Sequence, residues 1–274
     1  MLRVNSVLLL LSSTLLSGFT ACSQAEEAEQ KPAVAANGQA VVIADKPPVI
    51  KAIEAQGLEV LGAFDAPSGL RGYAGMAGQQ PVAVYATTDG QHAVIGTLVN
   101  AQGQDVGAEA LQRLVAEPMS RRVWAQLQAS DWIVDGKPDA PRVVYAFSDP
   151  NCPYCNKFWQ AARPWVDSGK VQIRNIMVGV IRPESANKVA ALYADASPSD
   201  ALQRHERGFS RGGIAPVATV PADTRSKLDR NEKLMVALGF QGTPGILFRD
   251  EQGLVQRRSG LPSVADLSAV LGPR

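Results

Sequence analysis

The stretch FSDPNCPYCNKFW, residues 147–159, holds two of the chain's three cysteines, Cys152 and Cys155, which are separated by Pro153 and Tyr154. The apolar run PRVVYAF that leads into it is typical of a buried strand, and the residues from the first cysteine onward predict a helix. The run VQIRNIMVGV further on predicts a second strand. Strand, helix and strand in this order indicate a βαβ unit whose helix begins at the cysteines.

A cysteine at the start of a helix lies where unpaired backbone N–H groups and the helix dipole favour negative charge. We therefore expect the pKa of Cys152 to fall below the value of about 8.5 of a free thiol. Cys155, one turn further along, is expected to be buried. This difference predicts that Cys152 attacks and Cys155 resolves, and that the intervening residues Pro153 and Tyr154 tune the pair.

A metal site and an inert pair are the alternatives to redox chemistry. Structural zinc needs four ligands, and the exported chain would offer two cysteines and two histidines, His92 and His205. We expect His92 in a strand of the first domain and His205 in a helical block, and nothing in the sequence places either near Cys152. As a disulfide staple, the pair would close almost no loop and stabilise little. We favour a redox pair that needs no metal or organic cofactor.

The first residues, MLRVNSVLLLLSSTLLSGFTACSQA, have the charged start, apolar centre and small-residue end of a secretory signal peptide. Cleavage after Ala25 would remove residues 1–25, including Cys22. The segment FTAC leaves a second interpretation open, in which Cys22 is the lipidated cysteine of a lipoprotein. An exported chain enters an oxidising compartment, where a close pair becomes a disulfide unless a donor reduces it.

Composition describes a folded chain without a charged binding surface. Of 274 residues, 46% are hydrophobic and 19% are charged, which is the range of globular proteins rather than disordered ones. The formal net charge is only +1, so composition gives no support for a nucleic-acid partner.

The first domain is predicted at residues 49–107, after a mobile leader at 26–48. A short helix at 49–56 precedes four strands, of which the last is predicted at 92–99. Asp89-Gly90 is a hairpin signal between the last two strands.

A helical linker is predicted at residues 108–130, with a break or kink at Pro118. The remaining chain, 131–274, has the order of a thioredoxin fold with an inserted helical segment. We expect its first helix to kink before Pro164.

Thr243-Pro244, in the stretch QGTPGILF, precedes a late predicted strand. A thioredoxin fold needs a cis-proline facing its cysteine pair, and we expect this bond to be cis; the alternative is a trans proline that begins a strand. The N–H and C=O of Thr243 would then be free to pair with a substrate strand.

Several residues around the cysteines have open roles. Tyr154 is expected to be exposed, whereas Phe158 and Trp159 are expected in the core rather than in a substrate surface. Asp149 could shift the pKa of Cys152 or simply cap the turn before Pro150.

The chain resembles the DsbG family of periplasmic thiol:disulfide interchange proteins, relatives of the DsbC isomerases. The stretches FSDPNCPYCNKFWQ, ARPWVDSGKVQIR, VGVIRPES, RNEKLMVALG and GTP carry the resemblance, together with GLRGYAGMAG and TTDGQHAVIGTLVNAQGQDV in the first domain. It covers roughly residues 45–270. By this resemblance, Cys152 is the nucleophile, Cys155 resolves, and Thr243 and Pro244 form the substrate-binding Thr–cis-Pro pair.

The resemblance also implies an assembly and a reaction. The N-terminal domain would be cystatin-like and form a V-shaped homodimer, with a helical linker to the catalytic domain. A membrane electron donor of the DsbD type would keep the pair reduced in the periplasm. The substrates would be misfolded or oxidised periplasmic proteins whose disulfides are isomerised or whose cysteine sulfenic acids are reduced, with chaperone-like binding.

Two other functions remain open. The chain could be a dimeric periplasmic holdase whose cysteines are dispensable, or a net oxidase of the DsbA type. The long N-terminal domain argues against the oxidase, because the monomeric oxidases lack one.

Overall fold

The computed structural model describes residues 45–78 and 80–274. The predicted signal peptide at 1–25, Cys22 and most of the predicted leader at 26–48 lie outside the described residues. Within them, a four-stranded sheet is followed by a five-stranded sheet, which agrees with the predicted mixture of α and β structure. No helix in this part of the chain is long and apolar enough to cross a membrane.

The first sheet is an antiparallel meander in the order β1-β2-β3-β4. Its elements are α1 (Pro48–Ala55), β1 (Leu58–Asp65), β2 (Arg71–Ala77), β3 (Gln80–Ala86) and β4 (Ala93–Ile95). Helix α1 packs Ile50 into the core of this sheet beside Tyr73 and Val84. The helix and four strands confirm the predicted element order of this region.

The fourth strand is shorter than the predicted strand at 92–99. Pairing with β3 ends at Ile95, and Val99 bridges to Asp105 instead. His92 consequently lies in the loop before β4, so its predicted place in a strand is wrong.

The predicted helix at 108–130 is continuous but not uniformly α-helical. It comprises α2 (Ala108–Leu111), a π-helical turn (Gln112–Ala116) and α3 (Glu117–Ala129). The helix does not break at Pro118, contrary to one of the two predicted outcomes; the wider turn ends two residues before this proline, which lacks the N–H of a regular helical bond. Val115 packs against the first sheet, whereas Trp124 and Leu127 pack against the second. The helix thus contributes to both cores, and the proposed domain limits at 107 and 130 stay a prediction.

The second sheet has the strand order β5-β7-β6-β8-β9, with β6 and β7 parallel and the other pairs antiparallel. Its strands are β5 (Trp132–Asp135), β6 (Arg142–Ser148), β7 (Val171–Met177), β8 (Gly245–Arg249) and β9 (Val255–Ser259). The sequence did not predict β5, because four residues directly after a helix give too short a pattern to recognise.

The helices of this part are α4 (Pro153–Val166), α5 (Ser185–Ala194), α6 (Pro198–Arg207), α7 (Ala222–Ala237) and α8 (Val264–Leu271). Helix α4 contains Pro164 and runs on to Val166. Helices α5 to α7 lie between β7 and β8, which confirms the predicted helical insertion.

Strand β6 explains how the second sheet is covered on both faces. Its side chains alternate, so Val144 and Ala146 pack with α4 and α8 while Tyr145 and Phe147 pack with α3 and α7. Burying one large apolar side chain of this kind stabilises the fold by about 2 kcal/mol. A strand buried on both faces is a firm base for the turn that follows it.

Candidate active site

Strand β6 delivers Cys152 to the N-terminus of α4. The Cys152 N–H donates to the Asp149 carbonyl at 3.0 Å, which closes the turn between strand and helix. Cys152 caps α4, and its Sγ accepts a hydrogen bond from the backbone N–H of Cys155 at 3.3 Å. Pro153 occupies the start of the helix, where its missing N–H costs nothing. The reactive sulfur therefore lies at a helix N-terminus, as the spacing predicts.

The Asp149 carboxylate holds the turn before Cys152 through hydrogen bonds. One carboxylate oxygen accepts from the backbone N–H of Val180 at 2.7 Å and of Ile181 at 2.9 Å. The other accepts from the Asn151 N–H and from the Ser185 hydroxyl, both at 2.8 Å. Four donors satisfy a carboxylate that is only 1% exposed, so the turn role, left open by the sequence, is the observed one.

A buried lysine extends this network. Lys188 Nζ donates to Asn151 Oδ1 and to the Gly212 carbonyl, both at 2.8 Å. Asn151 Nδ2 donates in turn to Ser185 Oγ at 3.0 Å, and Ser185 donates to Asp149. Each hydrogen bond in this chain donates in the direction from the Lys188 ammonium to the Asp149 carboxylate, so each bond polarises the next. The segment before Cys152 is thereby held against α5.

The Thr243–Pro244 peptide bond is cis, which confirms the expectation from the sequence. The Thr243 carbonyl lies 3.4 Å from Cys152 Sγ, which donates to it. We expected this carbonyl to be free, but it is occupied while Cys152 carries its proton. The residue after the cis bond is fixed as well, because the Gly260 N–H donates to the Pro244 carbonyl at 2.8 Å.

Hydrogen bonds lower the pKa of Cys152 to about 6. The Cys155 side chain makes the largest contribution, burial opposes it, and the backbone N–H groups of Cys155 and Tyr154 lower the pKa further. At neutral pH Cys152 is therefore mainly a thiolate, the form that acts as a nucleophile.

Burial raises the pKa of Cys155 well above its ordinary value, and the neighbouring Cys152 raises it further. Cys155 is 4% exposed, which confirms its predicted burial, but Cys152 is only 2% exposed. Exposure thus does not distinguish the two free thiols, whereas their opposite pKa shifts do.

His205 lies in helix α6, as predicted, and its ring contacts the active-site turn, which nothing in the sequence had indicated. Its Nε2 is 2.8 Å from the Pro150 carbonyl, and its Nδ1 accepts the Ile214 N–H at 3.0 Å. These bonds assign the proton to Nε2. Burial lowers the pKa of His205 to about 4, so the ring is neutral and supports the turn without charge.

Glu206, the next residue of α6, contacts the residue after the second cysteine. Asn156 Nδ2 donates to Glu206 Oε2 at 2.7 Å and to the Glu206 carbonyl at 2.9 Å. Burial raises the pKa of Glu206 to about 7. The sequence gave no signal for His205 or Glu206, because both reach the site from a helix about fifty residues further along the chain.

Three exposed apolar side chains belong to the cysteine turn or to the segment hydrogen-bonded to it through Asp149. Tyr154 lies between Pro153 and Cys155 and is 56% exposed, as expected, whereas Phe158 and Trp159 are buried in the core. Val180 and Ile181 are each 45% exposed, and their backbone is held by Asp149. We call Tyr154, Val180 and Ile181 the apolar rim.

Potential metal ligands are scattered rather than grouped in the part of the chain that the structure describes. Among residues 45–78 and 80–274, no three His, Cys, Asp or Glu side chains gather in a group that could hold a metal ion. His92 lies before β4 of the first sheet, whereas Cys152 follows β6 of the second.

Residues 133–272 match the family described as "Thioredoxin-like domain". The chain is also 46% identical over 237 residues to the thiol:disulfide interchange protein DsbG of Pseudomonas aeruginosa, covering 86% of this chain and 93% of that protein. It is 40% identical over 234 residues to the protein of the same name from Escherichia coli K12, covering 85% of this chain and 94% of the relative.

A more distant similarity extends to a second group. A probable thiol:disulfide interchange protein DsbC of Bordetella parapertussis is 27% identical over 155 residues, which are 56% of this chain and 50% of that protein.

Proposed function

The chain belongs to the DsbG family of thiol:disulfide interchange proteins, and we propose that Cys152 and Cys155 are its redox-active pair. The chain is accordingly a thiol-disulfide oxidoreductase that exchanges disulfides with protein substrates. The observation that carries the residue assignment is the position of Cys152 at the N-cap of α4, where its Sγ accepts the backbone N–H of Cys155 at 3.3 Å. The pKa shifts agree with it, since the pKa of Cys152 is lowered to about 6 and that of Cys155 is raised.

The first step is attack by the Cys152 thiolate on a substrate disulfide. A bond forms between Cys152 Sγ and one substrate sulfur, and the other substrate sulfur leaves as a thiolate. Loss of the Cys152 proton frees the Thr243 carbonyl, which accepted it at 3.4 Å. We propose that this carbonyl then accepts from the backbone of the substrate.

The mixed disulfide is resolved in one of two ways. Cys155 can lose its proton to the departing substrate thiolate and attack Cys152, which releases the second substrate sulfur and leaves the pair oxidised. A free thiol of the substrate can attack instead, which restores Cys152 and completes an isomerisation. The backbone N–H of Cys155, 3.3 Å from Cys152 Sγ, already holds the two sulfurs on one turn.

A cysteine sulfenic acid is a second electrophile for the same thiolate. Attack by Cys152 forms a mixed disulfide and expels the oxygen, which takes up protons and leaves as water. Resolution by Cys155 returns the substrate thiol and leaves the pair oxidised. Reduction of a disulfide and reduction of a sulfenic acid each consume two electrons from the pair, whereas isomerisation consumes none. Steady turnover as a reductase therefore needs a donor, for which we propose a membrane protein of the DsbD type.

We propose that substrates are unfolded or misfolded segments that rest on the apolar rim. Tyr154, Val180 and Ile181 offer exposed apolar area, whereas Cys152 itself is only 2% exposed. Folded proteins rarely expose large contiguous apolar patches, whereas unfolded or misfolded segments do. Thr243 and Pro244 complete the binding site on the side of β8.

The proposed setting follows from the family and from the start of the sequence. Residues 1–25 would export the chain to the periplasm, with lipidation at Cys22 as the alternative. A homodimer would form through residues 49–107. Acid quenching and alkylation of the exported protein in cells with and without the donor would measure its redox state; a pair that stays oxidised with the donor present would contradict reductive turnover.

The residue assignment is tested with a scrambled disulfide protein as substrate. Wild type should restore its native disulfides, and Cys152→Ser should lose this activity to the level of the uncatalysed reaction. His92→Gln is the matched control, because that side chain is exposed and lies in the first sheet region. Full activity of Cys152→Ser would contradict the assignment.

The apolar rim favours a second candidate function, a holdase that binds unfolded chains without redox chemistry. The double variant Cys152→Ser/Cys155→Ser should still suppress aggregation of an unfolding protein if this function exists. The same variant should fail to repair disulfides, and retention of that repair would favour a holdase with dispensable cysteines over the proposed enzyme.

A further inference from the structure

Glu206 has fewer charge-stabilising partners than Asp149 and Asp135, two other buried carboxyls around the cysteine turn. Asp149 accepts four hydrogen bonds, and Asp135 is paired with the guanidinium of Arg163 through two nitrogens. Glu206 is 7% exposed and accepts a side-chain hydrogen bond from the neutral amide of Asn156. A buried carboxylate with so little compensation is costly, and the neutral acid is the less costly form.

The charged groups around Glu206 come from two elements, β5 and α4. Asp135 of β5 and Cys152 at the start of α4 repel its negative charge, whereas Arg163 of α4 attracts it. The adjacent His205 on α6 is neutral, since burial lowers its pKa to about 4. Asp135 and Arg163 largely cancel because they are paired with each other. Asn156 joins Glu206 to the first cysteine, because its side chain donates to Glu206 Oε2 at 2.7 Å and its backbone N–H donates to the Cys152 carbonyl at 3.2 Å. Cys152 is therefore the neighbouring charge that varies during turnover.

The redox reaction changes this charge directly. In the reduced pair Cys152 is a thiolate, and its field contributes to the raised pKa of Glu206, about 7. In the disulfide, Cys152 Sγ is bonded to Cys155 Sγ and carries no charge. The carboxyl of Glu206 consequently binds its proton less tightly in the oxidised protein than in the reduced protein.

We propose that Glu206 releases a fraction of a proton to solvent when the Cys152–Cys155 pair is oxidised and takes it up again when the pair is reduced, which makes the redox equilibrium of the pair depend more steeply on pH near neutrality. Glu206 is thus a tuning residue that acts through Cys152 and does not touch the substrate. The inference rests on the proposed redox role of the two cysteines.

The balance of the exchange is complete without Glu206. The Cys152 thiolate and the Cys155 thiol together with a substrate disulfide give the oxidised pair, one substrate thiolate and one substrate thiol. Two electrons pass to the substrate sulfurs, and the proton of Cys155 passes to one of them. Glu206 adds only a fraction of a proton, which it exchanges with water. This fraction increases with the strength of the electrostatic coupling between Glu206 and Cys152.

Glu206→Gln tests the proposal, because glutamine keeps an oxygen for the bond from Asn156 but cannot ionise. The measurement is the equilibrium constant for reduction of the pair by glutathione at pH 6 and pH 8. Between pH 6 and pH 8, the equilibrium constant for reduction should fall by a larger factor in wild type than in Glu206→Gln. The two factors should differ by about threefold if oxidation of the pair shifts the pKa of Glu206 by about half a unit. Glu251→Gln, at an exposed turn, should match wild type.

Equal steepness in wild type and in a folded Glu206→Gln protein would overturn the proposal while leaving the redox function intact. A pair that does not exchange with glutathione at any pH would overturn the proposed function as well. If Glu206→Gln does not fold, proton uptake during reduction of wild type in weakly buffered solution decides. At pH 7, an uptake of protons larger than the amount bound by Cys152 and Cys155 themselves supports the proposal. An uptake equal to that amount refutes it.

Discussion

The backbone N–H of Cys155 lies 3.3 Å from the Sγ of Cys152 and donates to it. The Cys155 side chain is also the largest of the contributions that lower the pKa of Cys152. The second cysteine thus activates the first before it takes any covalent part in the reaction. Removing it should alter both the chemistry of release and the charge state of the nucleophile.

The first prediction concerns this activation. Cys155→Ala removes the side-chain donor but leaves the backbone N–H, so the pKa of Cys152 should rise from about 6. Cys155→Ser retains a donor and should raise it less. Titration of the thiolate by ultraviolet absorbance measures both, and an identical pKa in both variants and wild type would refute the account.

The second prediction concerns the turn. Asp149→Ala removes an acceptor shared by four donors, among them the N–H groups of Val180 and Ile181. Leaving buried donors unpaired should lower the free energy of unfolding by about 3 kcal/mol. Asp229→Ala, on the exposed side of α7, should change it by less than about 0.5 kcal/mol. Chemical denaturation compares the two, and similar small effects would argue against Asp149 as the anchor.

The third prediction concerns pH. The pKa of His205 is about 4 in the folded protein, below the value of about 6.5 expected when the chain unfolds. Its contribution is fully present above pH 6.5 and is lost as pH falls towards 4, because only the unfolded chain binds the proton in that window. Between pH 7 and pH 5, wild type should lose about 2 kcal/mol more stability than His205→Gln.

The control for this effect is His92→Gln, whose side chain is exposed. It should follow the wild-type pH dependence in the same denaturation series. If His205→Gln loses as much stability as wild type on acidification, the ring is not held neutral by its surroundings.

The fourth prediction concerns the apolar rim. Val180→Ser reduces apolar contact with a bound segment and should raise KM for an unfolded disulfide substrate about threefold, with little change in kcat. The control is Val236→Ser on α7. Val236 is more exposed than Val180, at 67% against 45%, and its replacement should leave KM unchanged. A change in kcat alone would place Val180 outside the binding step.

Local sequence patterns predicted the elements nearest the chemistry. Strand β6, the helix that begins at the cysteines and strand β7 follow from continuous apolar runs and from a proline at the helix start. The cis bond before Pro244 was expected from its place relative to the cysteines. Each of these depends on residues close together in the chain or on a recognisable family motif.

The supports of the site could not be predicted in this way. His205 meets Pro150 across 55 residues of chain, and Glu206 meets Asn156 across 50. Single-sequence patterns carry no information about which face of α6 turns towards the cysteines. Strand β5 was missed for a different reason, since its four residues show too little alternation to stand out after a helix.

The central claim, that Cys152 attacks and Cys155 releases, is tested most directly by trapping. Cys155→Ser should accumulate mixed disulfides with periplasmic proteins, and mass spectrometry should locate every one at Cys152. Cys152→Ser should trap far fewer, because Cys155 is a buried thiol with a raised pKa. Absence of adducts in Cys155→Ser, or equal trapping by both variants, would contradict the account.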